Sequence, residues 1–167
     1  IYTLSLHDAL PISSLSDGSG FEFKGVIVRH LLAAGHEVVD YGPGEGEQPE
    51  YSATYARRVA HAIRAGEVAR GVLICGTGIG ISISANKVRG IRAAVCSEPF
   101  TARHTRENNG SQIIAFGAFV VGPELAKAIV DAFLGAEFKG IDGGEFAERF
   151  AKIAAIEDEE IALARRG

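Results

Sequence analysis

The sequence of 167 residues is 47% hydrophobic and carries a formal net charge of -4 at pH 7. A chain of this length can bury one ordinary core, so we expect a single domain. Lys and Arg are scattered along the sequence instead of forming a stripe, and no apolar run approaches the ~18 residues that span a bilayer, so neither nucleic acid nor a membrane is expected as a partner.

Two cysteines, Cys75 and Cys96, belong to no CxxC pair and to no metal-ligand cluster. A chain of this size does not need a disulfide for stability, so free thiols in a reducing cytoplasm are expected.

The chain begins with IYTLSLHDALPIS, residues 1–13. This stretch has neither the charged start nor the long apolar run of a signal peptide. It resembles translated sequencing-adapter read-through fused to an assembled gene, so we predict that residues 1–13 are non-native. The single domain is then expected to comprise residues 14–167 and to end in a long helix.

Beyond the first residues, short apolar runs alternate with segments whose apolar residues recur at helical spacing. Glycines end several helical segments, and proline begins two of them. Predicted strands are 37–41, 71–75, 91–96 and 112–116, after a first strand before Asp17, and predicted helices are 21–34, 51–65, 99–108, 123–137 and 145–165. This alternation predicts a three-layer α/β/α fold around a mostly parallel five-stranded Rossmann-like sheet, with ligands at the carboxyl ends of the strands.

The segment GVLICGTGIGISISANK, residues 71–87, is an apolar strand that ends in Cys75 and enters a glycine-rich loop before a helix. Backbone N-H groups in such a loop form an anion site for a phosphate or a developing enediolate, and a thiolate beside it can act as base or nucleophile. The alternative for Cys75 is a small buried hydrophobe at a strand end. The dinucleotide fingerprint and the P-loop both fail, since Ile81 stands at the third glycine and Gly-Lys-Ser/Thr is absent.

The longer stretch GVLICGTGIGISISANKVRGIRAAVCSEPF resembles the signature region of the ribose-5-phosphate isomerase B and galactose-6-phosphate isomerase (RpiB/LacAB) family. The resemblance extends from about Ser16 to Ile156 and includes SDGSGF, GHEVVDYG, FGAFVVGPELAKAIVDAFL and GGEFAERFAKIAAIE. It implies an aldose/ketose isomerase that acts on a small sugar phosphate and needs no cofactor. Conversion of ribose 5-phosphate to ribulose 5-phosphate is the first expectation.

In this family the cysteine of CGTG removes a proton next to the carbonyl and gives a cis-enediolate, so the resemblance makes Cys75 the catalytic base. Thr77 would hydrogen-bond a substrate hydroxyl or the base. The N-H groups of Gly76, Gly78 and Gly80 would stabilise the oxyanion.

The resemblance also implies six further substrate-binding positions: Asp17, Gly18, Tyr51, Asn108, Asn109 and Arg149. Asp17 could instead cap the following helix, and Tyr51 could instead be a buried aromatic residue at a helix start. Family active sites combine two subunits, so Asn108, Asn109 and Arg149 are expected to meet Cys75 of a neighbour in a homodimer or homotetramer.

The sequence departs from the family pattern at several of these positions. Gly18 and Asn108 each stand where the ribose enzymes have a histidine, and an amide cannot transfer the proton that opens a sugar ring. His104, one helical turn earlier, could share the face of Asn108. Phe119 stands where an arginine often contributes to phosphate binding, and Glu145 stands near another such arginine, which leaves Arg149 as the retained basic match. Such replacements resemble family members that isomerise four-carbon ketose phosphates.

Two further functions stay open. One is a non-catalytic sugar-phosphate binding subunit, which the lost histidines would favour. The other is thiol chemistry at Cys75 in a hydrolase or redox enzyme, although neither a partner base nor a resolving cysteine is identifiable. No metal is expected, because the five histidines form no ligand-spaced pair.

Overall fold

The computed structural model describes residues 10–14, 18–43 and 50–166. The described residues form strands and helices in alternating order, as an α/β fold requires. The strands are β1 (Leu10–Ser14), β2 (Val38–Asp40), β3 (Gly71–Cys75), β4 (Ala93–Val95) and β5 (Ile113–Gly117). The helices are α1 (Gly18–Ala33), α2 (Ser52–Ala65), α3 (Ile79–Ala85), α4 (Pro99–Asn109), α5 (Pro123–Leu134) and α6 (Glu145–Ala164). Among these helices none is long and apolar enough to cross a membrane.

The predicted elements agree with the observed ones except at their ends. β3 has the predicted bounds, and α2 ends where Gly66 adopts φ 74°, a left-handed conformation that glycine tolerates. The predicted end of the fifth helix, Glu137, is wrong, because α5 stops at Leu134 and Gly135 caps it. Strands β2 and β4 are three residues each, shorter than predicted.

The strands form one parallel sheet with the order β2-β1-β3-β5-β4, so the predicted fold class is confirmed. The chain leaves β1 in one direction for β2 and continues on the other side at β3. This reversal between β1 and β3 opens a crevice at the carboxyl ends of the strands, the usual ligand site of such sheets. Cys75, the last residue of β3, lies at this point.

β1 includes Leu10 to Ser13, which belong to the segment predicted to be non-native. Ile12 is paired with Asp40 on one side and with Val72 on the other, so the strand occupies an interior position of the sheet. Strand pairing depends on backbone hydrogen bonds, which any sequence can form, so it does not show whether these residues are native to the protein. The boundary at residue 13 therefore stays a prediction.

Apolar clusters cover both faces of the sheet. One cluster joins α1, α4 and α5 to Val72 and Ile74, and the other joins α2 and α3 to Leu73 and Cys75. The alternation along β3 follows from the two-residue repeat of a strand, and all its residues are buried because both faces are covered. This places the Cys75 side chain in the layer of α2 and α3.

Candidate active site

Cys75 lies at the carboxyl edge of the sheet with its side chain 6% exposed. It packs in the cluster that contains Leu73 and Ile81, and the Gly78 N-H donates a hydrogen bond to its Sγ over 3.1 Å. The sulfur therefore points into the loop between β3 and α3 and is held there by a backbone donor. A buried thiol with a directed N-H contact differs from the plain hydrophobe that was the alternative for this position.

Glycines are required in this loop because two backbones touch. Gly78 has φ 80°, and a Cβ there would lie 2.8 Å from the backbone of Phe116. A Cβ on Gly117, at the end of β5, would lie 2.6 Å from the Gly76 carbonyl oxygen. The Ala118 N-H donates to the Cys75 carbonyl over 2.8 Å and fixes the two segments together. Any larger residue at Gly78 or Gly117 would push the loop away from β5.

Two further members of the predicted loop site, Thr77 and Gly80, are exposed at the mouth of the crevice. The Thr77 Oγ1 accepts a long 3.4 Å hydrogen bond from the Ile79 N-H, and the Thr77 side chain is exposed. Gly80 is exposed in the first turn of α3, where backbone N-H groups have no acceptor inside the helix. Thr77 and Gly80 are thus available to a ligand beside Cys75, while the Gly78 N-H is directed at the thiol itself.

Two predicted residues lie at the starts of helices at this edge of the sheet. Tyr51 stands at the start of α2 with 89% of its surface exposed, so it is not the buried aromatic residue that was considered for it. Gly18 is the first residue of α1. Asp17 lies outside the described residues.

Asn108, Asn109 and Arg149 lie away from Cys75 within the same chain. α4 ends at Asn109, just before β5 begins opposite Gly71, so its last residues are at the amino edge of the sheet. Cys75 is four strand residues further along β3, which corresponds to ~13 Å. Arg92 joins this amino-edge group, since its Nε donates to the Asn109 carbonyl and its guanidinium stacks on Phe150.

Asn108 and Arg149 of this amino-edge group each have a side-chain partner on their own helix. The Asn108 Nδ2 lies 2.6 Å and 2.7 Å from the ring nitrogens of His104, so the predicted shared face of these residues is confirmed. His104 is also stacked on Phe100 at 5.4 Å. Arg149 is exposed and forms an ion pair with Glu145, one helical turn earlier. An incoming phosphate would have to compete with that carboxylate for the guanidinium.

Cys96 and Glu98 follow β4 at the carboxyl edge, but neither has the setting of a base. Burial raises the pKa of the Cys96 thiol to about 11. Glu98 caps α4, and its carboxylate accepts hydrogen bonds from the N-H groups of Thr101 at 2.8 Å and Phe100 at 2.6 Å. The hydrogen bonding with Thr101 is the main reason that the pKa of Glu98 lies below its usual value. Cys75 thus remains the candidate base.

Phe119 has a role at the site that the sequence did not predict. Its ring covers Gly76 so closely that a Cβ on Gly76 would lie 2.9 Å from the Phe119 Cε2, and the ring is 66% exposed. The sequence indicated only that an arginine is missing at this position. The contact forms because the turn after β5 folds over the β3–α3 loop. No local sequence pattern predicts that arrangement.

Among the residues that the structure describes, no group of three or more His, Cys, Asp and Glu side chains could hold a metal ion.

Comparison with known proteins identifies relatives that cover most of the chain. The sequence profile described as ribose/galactose isomerase matches residues 12–153. Ribose-5-phosphate isomerase B of Escherichia coli is 52% identical over 84% of this chain and 92% of its own length. D-erythrulose-4-phosphate isomerase of Pectobacterium atrosepticum is 45% identical over 90% of this chain and 97% of its own length.

Solved structures agree with the sequence relatives. The structure of ribose-5-phosphate isomerase B from Clostridium thermocellum superposes with a TM-score of 0.82 at 44% identity, and the match covers 91% of this chain and 99% of that one.

Proposed function

The chain belongs to the ribose/galactose isomerase family and is an aldose/ketose isomerase of sugar phosphates, and we propose that it interconverts ribose 5-phosphate and ribulose 5-phosphate with Cys75 as its base. Cys75 is proposed as the base because its thiol lies at the end of β3 and accepts a hydrogen bond from the Gly78 N-H over 3.1 Å. The high identity to the Escherichia coli ribose enzyme favours a pentose phosphate as substrate.

In the proposed reaction the Cys75 thiolate takes the proton from C2 of the open-chain aldose. The electrons of that C-H bond form a C1–C2 double bond, and the carbonyl oxygen on C1 becomes an oxyanion. The Gly80 N-H and the Thr77 hydroxyl lie at the mouth of the crevice, and we expect them to stabilise this charge together with the Gly76 N-H. The proton of the C2 hydroxyl then passes to the oxygen on C1, and return of the first proton from Cys75 to C1 leaves a carbonyl at C2, which gives the ketose.

Solvent exchange tests the base directly. In deuterated water with ribose 5-phosphate, we expect deuterium at the exchanged carbon, and Cys75→Ser should lower turnover by at least ~100-fold, as loss of a positioned base does. Cys96→Ser is the matched control, since Cys96 is also buried but lies outside the loop, and it should retain activity. Unchanged exchange in a folded Cys75→Ser protein would show that another group is the base.

A four-carbon ketose phosphate is the second candidate substrate. Gly18 and Asn108 replace two histidines of the ribose enzymes, and a linear tetrulose phosphate needs no ring opening. The 45% identity to the Pectobacterium erythrulose-4-phosphate isomerase supports this alternative. Higher kcat/KM for the tetrulose phosphate than for ribose 5-phosphate would decide in its favour. Absence of turnover with any sugar phosphate would favour the non-catalytic binding subunit.

We propose that the active site is completed by a second copy of the chain. Asn108, Asn109 and Arg149 lie at the amino edge of the sheet, so they can reach a Cys75 crevice only from another subunit. Large apolar side chains exposed around the crevice are suited to such a contact: Ile79, Ile83, Phe119 and Val120, each more than half exposed. A homodimer or homotetramer is expected, and two free buried cysteines fit a reducing cytoplasm.

A further inference from the structure

A groove between α2 and the segment that follows α3 collects positive charge outside the catalytic crevice. Five basic side chains line this α2–α3 groove, whose volume is about 420 Å³: Arg57, His61, Arg64, Lys87 and Arg89. No carboxylate of the described residues lines it. We propose that the α2–α3 groove binds a small polyanion that carries two phosphate groups.

The arrangement of the cations follows from helix geometry. Arg57, His61 and Arg64 are spaced four and three residues apart, so they share one face of α2. Lys87 and Arg89 come from the turn after α3, and helix α3 packs against α2. Cations that are far apart in sequence are thereby gathered around one opening, and their mutual repulsion favours a bound anion.

Most of this charge has no ion-pair partner among the residues that the structure describes. Arg89 forms an ion pair with Asp158 of α6. Arg57, Arg64 and Lys87 form no ion pair with the described residues, which leaves three permanent cations for a ligand. A single phosphate would balance only part of that charge, whereas two phosphate groups would balance it more fully.

The size and lining of the groove restrict the ligand further. A volume of about 420 Å³ lies in the range of small-molecule sites. No Phe, Tyr or Trp side chain of the described residues lines it, so a nucleobase could stack only on the His61 ring or on the guanidinium groups that its phosphates would also need. A nucleotide or a single-stranded nucleic acid is therefore disfavoured relative to a compact bisphosphate.

Calorimetric titration with pyrophosphate tests the proposal, since pyrophosphate has two phosphate groups and no aromatic part. At matched ionic strength, the protein should bind one pyrophosphate per chain at least tenfold more tightly than inorganic phosphate. The double variant Arg57→Gln/Arg64→Gln should lose about tenfold or more in affinity because two charge-assisted contacts are removed. Its isomerase turnover should be unchanged, since neither residue belongs to the catalytic crevice.

The matched control is Arg165→Gln/Arg166→Gln, which removes the same charge at the exposed end of the chain and should bind pyrophosphate as the parent does. Equal loss in both double variants would show a general charge effect and overturn the proposal. Equal affinity of the parent and the groove variant would overturn it too, as would preference for a single-stranded oligonucleotide over pyrophosphate. A groove variant that is merely less stable, but binds normally, would show that these cations only offset the dipoles of the helix ends.

Discussion

The two cysteines show how position decides what a thiol can do. Cys75 ends β3 and receives the Gly78 N-H, whereas Cys96 is 1% exposed and its Sγ donates a long hydrogen bond to the Ala94 carbonyl over 3.8 Å. Burial raises the pKa of Cys96 to about 11, so this thiol stays neutral in the folded protein at physiological pH. At the end of β3 a cysteine is thus in contact with a backbone donor, whereas after β4 a cysteine serves mainly in packing.

The raised pKa of Cys96 predicts a loss of stability in alkali. Below about pH 8.5, the ordinary thiol pKa, Cys96 is neutral in both states and its burial costs nothing electrostatically. As pH rises towards 11, the thiol ionises in the unfolded state but stays largely neutral in the folded state. The free energy of unfolding therefore decreases. Urea midpoints at pH 8 and pH 10.5 should therefore fall further for the parent than for Cys96→Ala. An equal fall of the urea midpoint in both proteins would contradict the raised pKa of Cys96.

At the scale of elements, the site depends on the contact between the β3–α3 loop and the end of β5. Gly78 and Gly117 allow two backbones to meet where side chains would collide, and two carbonyls of the loop accept N-H groups from the turn after β5. The loop is therefore positioned by its neighbour strand and not by its own sequence alone.

Gly78→Ala tests this packing. The new Cβ would lie 2.8 Å from Phe116 backbone atoms at a φ of 80°, so unfolding should become easier by about 2 kcal/mol or more, and turnover should fall with the displaced Cys75. Gly80→Ala is the control for stability, because a Cβ there meets nothing within 4 Å. In α3 it should be neutral or stabilise by up to ~1 kcal/mol. Similar urea midpoints for both variants would mean that the loop can move away from β5.

At the scale of the whole molecule, the predicted site residues separate into two groups. The loop residues around Cys75 lie at the carboxyl edge of the sheet, while Asn108, Asn109 and Arg149 are associated with its amino edge. One chain cannot bring these groups together without unfolding its sheet, so a shared active site requires a partner chain.

Mixing two inactive variants tests the shared site. Cys75→Ser and Arg149→Ala should each be inactive or weakly active alone. After unfolding and refolding together, mixed dimers should contain one site that carries both changes and one site that carries neither. Random pairing then predicts recovery of roughly a quarter of the parent activity. Size-exclusion chromatography must show dimers or larger assemblies in each sample, and mixed dimers without recovered activity would place Arg149 outside the site.

The fold class and the position of the proposed base both follow from local patterns in the sequence. Buried strands between glycine-ended helices predicted the parallel sheet, because periodicity reflects which faces are covered. CGTGIG after an apolar strand predicted Cys75 at the carboxyl edge, because a strand that enters a glycine-rich loop places its last residue there. The end of α5 was less predictable, since helical spacing in 123–137 continues past the point where Gly135 stops the helix.

Which distant residues become neighbours depends on the tertiary fold. It placed Phe119 over Gly76, separated Asn108 from Cys75 by the length of β3, and gathered scattered basic residues into the α2–α3 groove. These relations depend on strand order and helix packing, which join segments that local sequence patterns do not connect. Cys75 could be chosen from its own segment, whereas what surrounds it is set by the crossovers of the fold.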